Sequence, residues 1–150
     1  MVIRSPLVYG PGAKANFQAL FTAVRRGALL PLASIANRRS LVGVDNLADL
    51  IVVCMEHPAA ASETFLVSDG EDLSTPDLVR RLAMAAGRPA RLLPMPVWLL
   101  RAVASALGRS RAVDRLTGSL TVDISKARRL LGWVPPQTVD EELRRAAYLP

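Results

Sequence analysis

A chain of 150 residues with 51% apolar and 21% charged side chains is long enough to bury a core, which excludes a disordered polypeptide. No apolar run reaches the ~18–20 residues that cross a bilayer, and the single cysteine, Cys54, excludes an internal disulfide. The net charge of +6 comes mostly from arginines scattered along the chain, and with only 5% aromatics they supply no block or stacking platform for nucleic acid.

Val2-Ile3-Arg4 and Leu7-Val8-Tyr9 read as one short buried strand, stopped by the turn Gly10-Pro11-Gly12. From Asn16 to Arg26, the apolar residues Phe17, Leu20, Phe21 and Val24 recur at helical spacing, and Gly27 ends the helix in a left-handed conformation. An extended piece over 29–32 follows, then a second strand over 40–44 with β-branched Val42 and Val44. Asp45 or Asn46 is expected to cap the next helix, which runs to about His57 before Pro58.

A strand over 64–67 turns at Ser68-Asp69-Gly70. Ser74-Thr75-Pro76-Asp77 then gives a cap, a first-turn proline and an acid near the positive helix end; that helix stops at Gly87. Residues 91–94 form an extended link, and 97–107 an apolar helix closed by Gly108. Asp123 caps a helix over 125–131 that Gly132 ends, and Thr138-Val139-Asp140-Glu141 is a capping box opening the last helix. The pattern predicts one α/β unit, without repeats or low-complexity linkers, in which helices dominate after residue 70.

In this order the segments resemble a known family. Ile3-Arg4-Ser5-Pro6-Leu7-Val8-Tyr9-Gly10-Pro11-Gly12 is similar to the strand and turn that end the nucleotide-binding sheet of extended short-chain dehydrogenases/reductases. Arg39-Ser40-Leu41-Val42-Gly43-Val44-Asp45-Asn46-Leu47-Ala48 resembles their Arg-Asp/Ser-aromatic-Ile/Val-x-Val-x-Asp-Leu-Ala segment. The stretch from Asp123 through Ser125-Lys126-Ala127 to Leu131-Gly132-Trp133 resembles their Asp-x-Ser-Lys-Ala-x-x-x-Leu-Gly-Trp segment. The match covers nearly the whole chain and points to the NAD-dependent epimerase/dehydratase branch, similar to UDP-glucose 4-epimerases.

The resemblance implies an α/β fold: the carboxy-terminal, substrate-binding subdomain of an extended short-chain dehydrogenase/reductase together with the last strand of its Rossmann-like sheet. Residues 1–12 are then the remnant of the NAD-binding domain and 13–150 the nucleotide-sugar domain. The family holds NAD on a Gly-x-x-Gly-x-x-Gly turn, and none of the nine glycines falls in that pattern. Its chemistry uses Tyr-x-x-x-Lys, but Tyr9 is followed four residues later by Ala13 and Tyr148 lies too near the end. The expectation is a fragment with no catalytic residue of its own, which binds no NAD although the parent enzyme does.

The resemblance also nominates binding residues for a UDP-sugar. Arg39 stands where the family's arginine grips the nucleotide diphosphate, with a fork that matches phosphate oxygens; Arg38 beside it is a rival. Asn16, followed by Phe17, begins a helix where relatives bring an Asn-Leu pair to the diphosphate and base, although N-capping alone would explain Asn16. Arg115, with Arg111 as rival, stands near a further diphosphate arginine. Leu30 and Leu32 flank Pro31 in the piece whose backbone cradles uracil, and Ser5 and Pro6 lie where the chain passes the nicotinamide. Leu7 replaces an asparagine that several relatives use near the substrate phosphate.

Other residues read as structural. His57 suits a helix end, Cys54 an apolar helix face, and Trp98 and Trp133 the core. Asp69, Glu71 and Asp72 form an acidic turn without metal-ligand spacing. The remaining expectations are cytoplasmic localisation, self-association, and neither membrane nor nucleic-acid partners. A related reductase or dehydratase fragment and a non-catalytic binding module stay open as alternatives.

Overall fold

The computed structural model describes residues 1–12 and 15–148, apart from the side chains of Ala15, Asn16 and Tyr148. Five strands and seven α-helices follow in the order β1 (Val2–Arg4), β2 (Leu7–Tyr9), α1 (Ala15–Arg25), β3 (Arg39–Gly43) and α2 (Val44–Glu56). After a 3-10 turn (Pro58–Ala60) come β4 (Thr64–Leu66), β5 (Asp72–Leu73), α3 (Thr75–Ala85), α4 (Val97–Ala106), α5 (Ser110–Thr117), α6 (Ser125–Leu131) and α7 (Val139–Tyr148).

The expected first strand is two strands in separate sheets. β1 pairs in parallel with β4, Ile3 opposite Phe65. β2 pairs in parallel with β3, Val8 opposite Val42, and β3 pairs antiparallel with β5, Ser40 opposite Asp72. The break falls at Ser5-Pro6, because proline brings no N–H to a ladder. Nor is the first segment buried: Val2 and Arg4 are exposed and only Ile3 is half-buried. Each strand from residues 1–12 thus pairs with a strand further along the chain.

β3 divides the interior. Its period of two sends Leu41 into a cluster with Tyr9, Phe17, Phe21, Leu82 and Leu143, and Val42 into another with Leu50, Phe65, Ile124 and Trp133. The first cluster joins β2, α1, α3 and α7; the second joins β4, α2 and α6.

Local signals set several boundaries. Ser74 Oγ accepts from Asp77 N (3.2 Å), and Asp123 Oδ1 from Ser125 N (2.8 Å). Thr138 N donates to Glu141 Oε2 (2.8 Å) while Glu141 N donates to Thr138 Oγ1 (3.3 Å), closing the capping box. Three expectations fail. Neither Asp45 nor Asn46 caps α2; Glu142 of α7 does so by accepting from Asn46 N (3.2 Å). Trp98 is 71% exposed, because α4 turns Leu100 and Ala104 inward instead. Val44 starts a helix and does not end a strand. Trp133 is buried as expected, its Nε1 donating to Asp49 (2.8 Å), and Cys54 is buried too.

Candidate functional site

A cleft of about 480 Å3 opens between β2, the first half of α1, the start of β3 and α5. Phe17, Leu30, Leu32, Arg39 and Arg115 all line it, so five of the six substrate-site residues named from sequence are brought together. The sixth, Asn16, sits in the first turn of α1, but its side chain lies outside the described residues. Ser5 and Pro6 connect β1 to β2 and do not line the cleft, whereas Leu7 does.

The architecture explains the convergence. Residues 29–32 are pinned by pairing with the later extended link: Leu30 N donates to Arg91 O (2.9 Å) and Leu93 N to Leu30 O (2.8 Å). Arg39 opens β3, and its guanidinium donates to the Arg115 carbonyl. α5 is held there by Asn37, a buried residue not singled out in the sequence. Its amide donates to Leu116 O (3.1 Å), Gly118 O (2.9 Å) and Thr75 Oγ1 (3.0 Å), and its Oδ1 accepts from Thr75 N (2.8 Å). Thr75 Oγ1 in turn donates to Leu116 O (2.6 Å). An Asn two residues before an arginine gave no distinctive signal, because every partner lies 38 or more residues away.

The cleft's charge is one-sided. Arg39, Arg109 and Arg115 line it, no carboxylate does, and none of the three forms an ion pair among the described residues. Arg39 is half-buried, and burial lowers its pKa, so an anionic partner would relieve it. Leu20, Leu30, Leu41 and Leu78 supply an apolar floor. Such a site suits a ligand with one apolar face and one strongly anionic group. The rival Arg38 is exposed and pairs with Asp72 (3.4 Å), and Arg111 does not line the cleft.

A second polar centre is buried behind β3. Asp69 accepts from Tyr9 OH (2.6 Å), Gly43 N (2.9 Å) and Asn46 Nδ2 (2.7 Å). Asn46 also donates to Gln137 O (2.9 Å) and accepts from Gln137 N (2.9 Å). Burial first, then Asp69, raises the Tyr9 pKa far above the ordinary phenol value, so this tyrosine keeps its proton. The centre ties β2, β3, α2 and the approach to α7 together, and presents no group to a ligand. The acidic turn that suggested nothing in the sequence therefore contains the hub of the fold. Its neighbours are also engaged: Asp72 accepts from Ser40 Oγ (2.5 Å) and Glu71 pairs with Arg81.

The family's dinucleotide needs free N–H groups where a strand turns through glycine into a helix. At the β3–Gly43–α2 turn, Gly43 N is taken by Asp69 and Asn46 N by Glu142. The Gly-x-x-Gly-x-x-Gly sequence itself is absent from the 150 residues. Among the described residues no group of three His, Cys, Asp or Glu is placed to hold a metal, and no helix is long and apolar enough to cross a membrane. His57 serves locally, its Nδ1 accepting from Ala59 N (3.2 Å).

No family profile matches the chain. It is 51% identical over 148 residues to a UDP-glucose 4-epimerase of Vibrio cholerae, covering 98% of this chain and 45% of that protein. Its fold matches a nucleoside-diphosphate-sugar epimerase of Pseudomonas aeruginosa with a TM-score of 0.72 and 27% identity, over 96% of this chain and 45% of that one. A Bordetella bronchiseptica enzyme solved with NAD+ and UDP matches with a TM-score of 0.66 and 20% identity, over 97% and 44%. The chain spans about half the length of the curated relatives it matches. By sequence and by fold it is similar to the carboxy-terminal portion of extended short-chain dehydrogenases/reductases of the UDP-glucose 4-epimerase-like type.

Proposed function

We propose that this chain supplies the nucleotide-sugar grip of an NAD-dependent UDP-sugar epimerase, while hydride and proton transfer fall to groups it does not carry. The observation that supports this most is the cleft itself, where Arg39, Arg109 and Arg115 stand without carboxylate partners over an apolar floor. Guanidinium forks match diphosphate oxygens, and the floor suits the flat faces of a base and a sugar. In the extended piece, the amides of Leu30 and Leu32 already donate to Arg91 O and Leu30 O, and Pro31 has none. A uracil ring at this place is therefore read by carbonyl oxygens, which accept from its ring N–H.

NAD belongs to this reading as the cofactor of the parent enzyme, where it takes and returns a hydride. A UDP-sugar reductase or dehydratase would use the same phosphate grip. Calorimetric titration with UDP tests the grip: wild type binds one equivalent, and Arg39→Gln weakens it about tenfold or more, the usual loss for a charged hydrogen bond. Equal affinity for the two proteins would overturn the assignment of Arg39. Incubation of the 150-residue protein with NAD and UDP-glucose should give no UDP-galactose. Turnover by the pure chain would end the fragment reading.

A further inference from the structure

A second cleft, of about 660 Å3, lies where α1, α3 and α7 end side by side. Thr22, Arg25 and Arg26 reach it from α1, Gly87 and Arg88 from the end of α3, and Ala147 from α7. It shares no residue with the Arg39 cleft, and among the described residues no carboxylate lines it.

Arginines at helix ends commonly serve the helix, by meeting its last carbonyls and its dipole. Here the carbonyls are met by backbone. Gly27 and Gly87 are left-handed (φ 68° and 63°). Gly27 N donates to Val24 O (2.9 Å) and Ala28 N to Ala23 O (3.0 Å); Gly87 N donates to Met84 O (3.1 Å) and Arg88 N to Ala83 O (2.9 Å). Among the described residues, the guanidiniums of Arg25, Arg26 and Arg88 make no hydrogen bond or ion pair, whereas Arg80, Arg81 and Arg145 all do. Arg25 lies over the Phe21 ring, 5.8 Å from its centroid, which steadies the side chain without using its N–H donors.

Three cations bordering one concavity repel each other, and an anion removes that cost. Among the described residues, Ala85, Ala86, Gly87 and Ala147 complete the lining and offer no aromatic face for a base, so their part in recognition is small beside the arginines' charge. The volume lies within the range of small-molecule sites. We propose that this cleft binds a small oligophosphate, two or more linked phosphate groups held by the forks of Arg25, Arg26 and Arg88 with the Thr22 hydroxyl beside them.

Pyrophosphate titrated into the protein, with and without excess UDP, tests this. One equivalent should bind in the presence of UDP, with affinity that falls as salt rises. The double variant Arg26→Gln/Arg88→Gln should lose about tenfold or more of that affinity and keep its UDP affinity. Arg39→Gln should keep this pyrophosphate binding, so failure of the UDP reading stays separable from failure of this one. Arg26 and Arg88 are exposed and Arg39 is half-buried, and unchanged far-ultraviolet circular dichroism verifies the fold of each variant. Pyrophosphate binding that is absent, or equal in wild type and the double variant, overturns the proposal. So does binding of single-stranded oligonucleotides with no binding of pyrophosphate.

Discussion

Glu142 is fully buried with only one carboxyl oxygen partnered among the described residues: Oε1 accepts from Asn46 N, and Oε2 accepts nothing. Burial, and then the nearby Asp45 and Asp69, push its pKa up to about 7, against the pull of the Asn46 amide and of Arg145. An acid whose folded pKa is raised favours the protonated folded state. Its contribution is whole below the ordinary value of 4.5 and is lost as pH rises through about 7. Asp69 is shifted the same way by burial, while the lowered pKa values of Asp77, Asp123 and Glu141 act in the opposite sense and only at lower pH. Urea unfolding should therefore show greater stability at pH 5.5 than at pH 8, by on the order of 2 kcal/mol, and Glu142→Gln should flatten the difference. A wild-type protein more stable at pH 8, or a variant with an undiminished slope, contradicts this account of Glu142.

The elements meet at Gly43, between β3 and α2. A Cβ there would stand 2.1 Å from Glu142 Cδ, so β3 and α7 approach this closely only because residue 43 is glycine. Gly43→Ala should cost about 2 kcal/mol or more, as overpacking does. Adding Glu142→Ala removes the obstacle, so the two changes should combine to clearly less than the sum of each alone. Strict additivity in a denaturation cycle would show that the contact does not set the packing. Ser74→Ala should cost about 1 kcal/mol through loss of the α3 cap, leaving the profile between pH 5.5 and 8 untouched, because the Asp77 carboxyl it releases titrates at lower pH.

The same contrast between local and distant partners governs what the sequence disclosed. The caps at Ser74 and Thr138, and the Asp123 bond to Ser125 at the start of α6 (whose N-cap is Ile124), were readable because each partner lies two or three residues away. The α2 cap was not, because Glu142 is 96 residues from Asn46. β5 has only two residues and its existence rests on pairing with β3, while α5 is only eight residues long with one fully buried side chain, Val113. Trp98 misled because apolar composition marks α4 without marking which face turns inward.

For the whole molecule, the two clusters on either side of β3 leave an apolar helix face uncovered: Ile51, Val52 and Met55 of α2 are exposed. Uncovered faces of this kind drive association, so sedimentation should show apparent mass rising with protein concentration. A concentration-independent monomer would contradict that expectation. Arg39, Arg115, Phe17, Leu30 and Leu32 were nominated together only through the family resemblance, since they are spread over 99 residues and share no local pattern. Arg109 and Asn37, one lining the cleft and one holding α5 against it, match no motif segment and went unmarked.

The ligand proposed for the Arg39 cleft is a nucleoside diphosphate. Backbone amide spectra recorded during a UDP titration test it most directly. Saturable shifts should gather at the amides of residues 30, 32, 39 and 115 and collapse in Arg39→Gln, while those around Cys54 and Trp133 stay still. Shifts that centre elsewhere, or none at millimolar UDP, would contradict the account.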